Sequence, residues 1–175
     1  MDKLYKRLSF TQIDLITSKL QSFIKDVTEI NTCVYQININ DVLVNIPELA
    51  TQLDEYQFSN LAVMAILVTA PNSDLRIHND GIGHSIALNW PLLNFDDTTM
   101  RWFAADVLLK DHYEEQYGIF DVFNRDTAIL IEEIPLDQPT LVHISGPHDV
   151  SNPKPTARFM LSMRFEQDPI LLFNS

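Results

Sequence analysis

Cysteine occurs once in the 175 residues, at Cys33. A single thiol closes no internal disulfide, so the default setting is a reducing compartment and the expected location is the cytoplasm. Cys33 also has no histidine near it in sequence to activate it as a nucleophile. Long apolar runs are lacking as well. The longest, residues 61–70, is about half of what a membrane-spanning helix needs, so no membrane partner is expected. Lys3, Lys6 and Arg7 near the start are not followed by the apolar stretch of a secretory signal.

Positive charge is the other scarcity. Twelve Lys and Arg face 24 Asp and Glu, for a formal net charge of −12. Such a surface repels phosphate backbones, and no basic cluster follows the first seven residues, so no nucleic-acid partner is expected. Acidic small molecules meet the same long-range repulsion, which only a well-placed arginine overcomes locally. A buried arginine is therefore more informative here than in a basic protein. A hydrophobic fraction of 46% and a charged fraction of 21% are ordinary for a folded globular chain of one domain, residues 1–175.

Residues 10–31 carry Ile13, Leu15, Ile16, Leu20, Phe23, Ile24 and Val27 near helical spacing, with Ser9 or Thr11 as the cap. A second helix is predicted over residues 47–56, where Pro47 suits a first turn. Then the pattern changes. Leu61–Thr69 is rich in β-formers and ends at Pro71-Asn72-Ser73, which reads as a buried strand. Further strands are predicted at 75–79, 85–90, 98–104, 127–132, 140–145 and 158–166; residues 106–117 read equally as a helical insertion or a long loop. Only four glycines and prolines at 91, 135, 139, 147, 153 and 155 accompany them. The expectation is an α+β chain that is mainly β: a helical supporting layer over 1–60 and a sandwich or barrel of about eight strands over 61–166.

His78-Asn79-Asp80 is the first chemical signal. In a strand, His78 and Asp80 share one face with origins roughly 7 Å apart, so an imidazole nitrogen and a carboxylate oxygen can converge on one ion. Alone the pair means little among five His and sixteen Asp, and His112-Tyr113-Glu114 is a rival of similar form. The C-terminal third adds to it. His148 follows a strand and the turn Gly146-Pro147, and Arg158 stands ten residues later at the head of another strand. There Arg158, Met160, Ser162 and Arg164 share one face, which can line a polar cavity, while Phe159, Leu161, Met163 and Phe165 pack the other into a core.

His78-x-Asp80, then His148 and Arg158, resembles the Fe(II)- and 2-oxoglutarate-dependent oxygenases, and Ala87–Leu92 resembles a strand of small members of that group. The resemblance spans roughly residues 61–166. It implies a double-stranded β-helix (jelly-roll) core, with Fe(II) held by His78, Asp80 and His148, leaving three positions open for 2-oxoglutarate and O2. It also implies that Arg158 pairs with the far carboxylate of the cosubstrate, that an unidentified substrate, small molecule or peptide, is hydroxylated, and that succinate and CO2 are released. An intact carboxylate at position 80 favours hydroxylation over halogenation.

Asn89 and Ser162 are candidate cosubstrate contacts, and His143 a candidate polar contact in the same pocket. The chain departs from many relatives at Met160, where they place Ser or Thr. Alternatives stay open, among them a degenerate barrel that serves as an interaction module without metal. Arg164 shares a face with Arg158 and could replace it. His84, with His78, Asp80 and His148, resembles the cupin arrangement of a metal-binding isomerase or binding module that never uses 2-oxoglutarate.

Overall fold

The computed structural model describes residues 3–26, 31–58, 60–80, 84–109, 119–170 and 173. Strand β1 (Tyr5–Arg7) precedes α1 (Ile13–Leu20), a 3-10 segment (Gln21–Asp26), β2 (Cys33–Gln36), α2 (Ile39–Asn45) and α3 (Pro47–Glu55). The strand-rich part follows: β3 (Leu61–Thr69), β4 (Ser73–Asp74), β5 (His78–Asp80), β6 (Ile86–Leu93) and β7 (Thr99–Ala104). After β8 (Val107–Leu109), β9 (Ile119–Phe123) and β10 (Ile129–Pro135), the chain closes with β11 (Thr140–His143), β12 (His148–Asn152) and β13 (Arg158–Phe165).

Two antiparallel sheets result. The first has the order β1-β11-β6-β13-β3-β2; the second runs β10-β7-β12-β5-β9-β8, with β4 beside β12. This is the jelly-roll architecture. The helices pack on the outer face of the first sheet, where Ile16, Leu20 and Leu49 meet Leu88, Trp90, Leu161 and Met163. A smaller core of Ala87, Met100, Trp102, Ile134, Val142 and Met160 lies between the sheets. The strict alternation in β13 makes this possible: Phe159, Leu161, Met163 and Phe165 enter the helical-side core, and Met160 enters the other. Central strand β6 is buried from Ile86 to Leu92 because both its faces are covered. Pro91 gives it no ladder N–H, and the pairing with β13 shifts register beside it.

The helical layer differs from the expectation in detail. Instead of one helix over 10–31, α1 stops at Leu20 and a 3-10 segment follows to Asp26. Neither Ser9 nor Thr11 caps it: the cap residue is Gln12, in the left-handed region at φ 54°, and the Thr11 N–H donates to Gln52 Oε1 at 2.6 Å. The predicted second helix is α3, started by Pro47. Strands β1 and β2 also lie within the first 60 residues and extend the first sheet at its two edges. Among the described non-glycine residues, left-handed backbone falls at Asn72, Asn94 and Asp97, residue types that tolerate it, and at Gln12 and Gln57. No helix among the described residues is long and apolar enough to cross a membrane.

Candidate metal centre

His78 and His148 are direct cross-strand partners in the β5–β12 pairing, so their side chains emerge side by side on the inner face of the second sheet. Their ring centroids lie 4.5 Å apart. Asp80, two residues along β5, returns to that face, and its Oδ1 is 3.3 Å from His78 Nε2. One ligand atom from each of the three residues lies within 4.8 Å of the others, so the group can hold a metal ion. The strand is pinned from its other face: Asn79 Nδ2 donates to Asp121 Oδ2 at 3.1 Å, and the Asp121 N–H donates to Asn79 Oδ1 at 2.7 Å. At its end the Asp80 N–H donates to Ile144 O. The middle residue of His-x-Asp thus ties β5 to β9 where their register shifts between His78 and Asp80.

Both rings are oriented the same way. His78 Nδ1 donates to Arg76 O at 2.7 Å and His148 Nδ1 to Gly146 O at 2.9 Å. Each Nδ1 proton therefore sits on a backbone carbonyl and each Nε2 is turned toward the centre, where a metal ion would displace the proton that His78 Nε2 shares with Asp80. Burial and the neighbouring His78 hold His148 down at a pKa of about 4, so it stays neutral and ligating. Burial pulls His78 the same way and is the largest single effect, but the hydrogen bond and charge of Asp80, the Arg76 carbonyl and the charge of Asp149 together raise it. Asp80 is pushed up by burial and pulled further down, to about 2, by His78, Arg164 and His148, so it remains a carboxylate. Deprotonated acid and neutral imidazole are the forms a divalent ion takes.

A cavity of about 60 Å³ opens from the triad between the sheets, with room for several water molecules. Arg158, Asn89, Ser162, Thr69, Leu67 and Arg164 line it with the three ligand candidates. Arg158 is 1% exposed, and its pairing with Thr69 at the end of β3 leaves it one long hydrogen bond, NH1 to Thr69 Oγ1 at 3.3 Å. Its Nε has no partner, nor has Asn89 Oδ1. Desolvation lowers the Arg158 pKa to about 10. A buried guanidinium with an orphaned N–H is costly without an anion, and the donor set fits a carboxylate. Asn89 and Ser162 face each other across the β6–β13 ladder, one pleat pair beyond Met160, which fills the inter-sheet core instead.

The other candidates divide between this cavity and other places. Arg164 lines the cavity near the triad and donates to Asp80 Oδ2 at 2.9 Å. His143 is outside this cavity: it lines a separate groove with Leu4, Trp102 and Phe103, and its Nε2 lies 3.2 Å from Ser145 Oγ. His84 does not join the metal-binding cluster among the described residues, and its Nδ1 is buried without a partner. His112-Tyr113-Glu114 lies outside the described residues. Cys33 is buried and also lines the cavity.

Sequence reasoning missed Asp149. It follows His148 on the outer face of β12, is fully buried, and accepts from Arg101 Nε at 2.7 Å and NH2 at 2.8 Å, and from Arg125 NH2. Arg101 also reaches Asp74 at 3.0 Å. Only its place beside His148 hinted at this; the arginines come from distant segments.

A scan against family models found no match, and a search of curated proteins found none. Solved structures do show likenesses. The fold is similar to that of a prolyl-4-hydroxylase from Pseudomonas putida, at 18% identity over 93% of this chain and 92% of that one, TM-score 0.50. It is similar to SnoK, a non-heme alpha ketoglutarate dependent carbocyclase from nogalamycin biosynthesis, at 12% identity, 93% and 80% coverage and TM-score 0.53. A third likeness is to the epimerase SnoN, solved with Fe3+, alpha ketoglutarate and nogalamycin RO, at 10% identity, 93% and 78% coverage and TM-score 0.55. The shared feature is the fold, and this chain carries on it a His-Asp-His group able to bind metal.

Proposed function

We propose that this protein is an Fe(II)- and 2-oxoglutarate-dependent oxygenase that hydroxylates an organic substrate, with His78, Asp80 and His148 as metal ligands. The observation that carries the reading is the union, in one cavity, of the triad and a fully buried arginine whose Nε lacks an acceptor. Iron supplies the redox chemistry that couples O2 reduction to decarboxylation of the 2-oxo acid, turning 2-oxoglutarate, O2 and R–H into succinate, CO2 and R–OH. His78 and His148 present Nε2 in the ligating tautomer, and Asp80 adds one negative charge. Arg158 receives the far carboxylate of 2-oxoglutarate through its unused N–H groups, while Asn89 and Ser162 contact the chain of the cosubstrate. The apolar walls at Leu67, Val68, Met100 and Val150 keep water away from the reacting carbon.

The test is anaerobic addition of Fe(II) and then 2-oxoglutarate. A visible charge-transfer band, followed by slow succinate formation in air, supports the oxygenase. Bound iron without a band moves the protein to a metal-binding module of the cupin type, and no iron binding removes the metal altogether.

A further inference from the structure

Asp80 divides its two oxygens between different partners. Oδ1 lies 3.3 Å from His78 Nε2, whereas Oδ2 accepts from Arg164 NH2 at 2.9 Å. Arg164 does not straddle the carboxylate as a two-pronged guanidinium would; it engages the oxygen other than the one beside His78 Nε2. Its side chain is 17% exposed and that of Asp80 13%, so water competes little for that bond. Arg164 is held in turn by β13, paired with Val63 on one side and Ala87 on the other. It stands six residues from Arg158, about 20 Å along the strand, so the two arginines serve opposite ends of the cavity.

We propose that Arg164 is a positioning residue that restricts Asp80 to one-oxygen ligation and thereby keeps a third coordination position open. This rests on the metal reading above. Six positions surround an octahedral divalent ion. Two imidazoles and one carboxylate oxygen leave three, enough for a chelating 2-oxo acid and one further small ligand; a carboxylate bound through both oxygens would leave two. A charge-assisted hydrogen bond to Oδ2 makes that second mode unfavourable, because Asp80 would have to exchange a guanidinium donor for a strained four-membered chelate.

The measurement is a count of water molecules bound directly to Mn(II), a redox-silent stand-in for Fe(II), from water-proton relaxation without 2-oxoglutarate. Wild-type protein should show about three and Arg164→Met about two, with inner-sphere relaxivity falling by about a third. Arg164→Lys keeps a cationic donor beside Oδ2 and should return the count to three. Equal counts in wild type and Arg164→Met would overturn the proposal. So would two waters in the wild type, a result independent of whether Arg164→Met folds. If wild-type protein binds no Mn(II), the ligand assignment itself fails and this inference with it; bound Mn(II) with an unchanged count sinks the inference alone.

Discussion

Asp149 and Arg158 are buried equally deeply, at 0% and 1% exposure, yet the protein treats them in opposite ways. Asp149, on the outer face of β12, is covered by Arg101 and Arg125 and has both oxygens occupied. Arg158, on the inner face of β13, has a single long bond to a hydroxyl and an N–H aimed at nothing. The first pattern is that of a structural charge, complete within the fold. The second is that of a charge completed from outside. Burial alone does not separate the two; the balance of partners does.

Substitutions at the ligands, at Arg158 and at Asp149 test this contrast, together with a pH titration. His78→Ala or His148→Ala should abolish Fe(II) binding, measured by titration calorimetry, because two remaining ligands hold a hard divalent ion poorly. Arg158→Ala should leave metal binding intact but weaken 2-oxoglutarate by about a hundredfold, roughly the 3 kcal/mol of a desolvated charge-assisted pair. The same change should leave the ligand-free melting temperature level or raised, since an uncompensated charge is removed. Asp149→Ala should do the reverse, lowering stability by about 2–3 kcal/mol in denaturant unfolding because Arg101 loses its main partner. If Arg158→Ala destabilises as much as Asp149→Ala, the contrast collapses.

The pH titration is next in size. His148 titrates near 4 in the folded chain against 6.5 when exposed, so the unfolded state binds more protons between those values. Metal-free protein should therefore lose stability as pH falls from about 6.5 to 4, by at most about 3 kcal/mol from this group. His78 acts oppositely: its raised value adds stability below 6.5 that fades as pH climbs through its folded pKa. Urea unfolding across pH 4–8 should show a maximum near 6.5, and His148→Gln should flatten the acid side. Smallest of all, His84→Ala should hardly change metal content by elemental analysis; a large loss would restore a four-ligand centre.

Much of the fold was legible because hydrophobic alternation is local. The runs that became β3, β6, β7 and β13 are continuous or alternating blocks bounded by turns, and even the division of β13 between two cores follows from which residues are odd and which even. Strands β1, β2, β8 and β12 were not legible. They are short, three to five residues, and owe their conformation to the edges and neighbours they pair with. At the site, spacing brought His78, Asp80, His148 and Arg158 to attention, and the structure places all four around one cavity. It favoured Arg158 over Arg164 but did not show that Arg164 meets Asp80, because identity of face says nothing about which end of a strand does so. His143 failed for a related reason: an expected pocket residue, it emerges instead into the groove beside β1.

The orphaned N–H of Arg158 has a further consequence for how the protein persists. A ligand that satisfies it binds only the folded chain, so its concentration becomes part of the folding equilibrium. A dicarboxylate present at a hundred times its dissociation constant would add about 2.7 kcal/mol to the stability of the chain. Abundance of the protein would then rise and fall with supply of that acid, since the unfolded fraction available to proteases shrinks as the cavity fills.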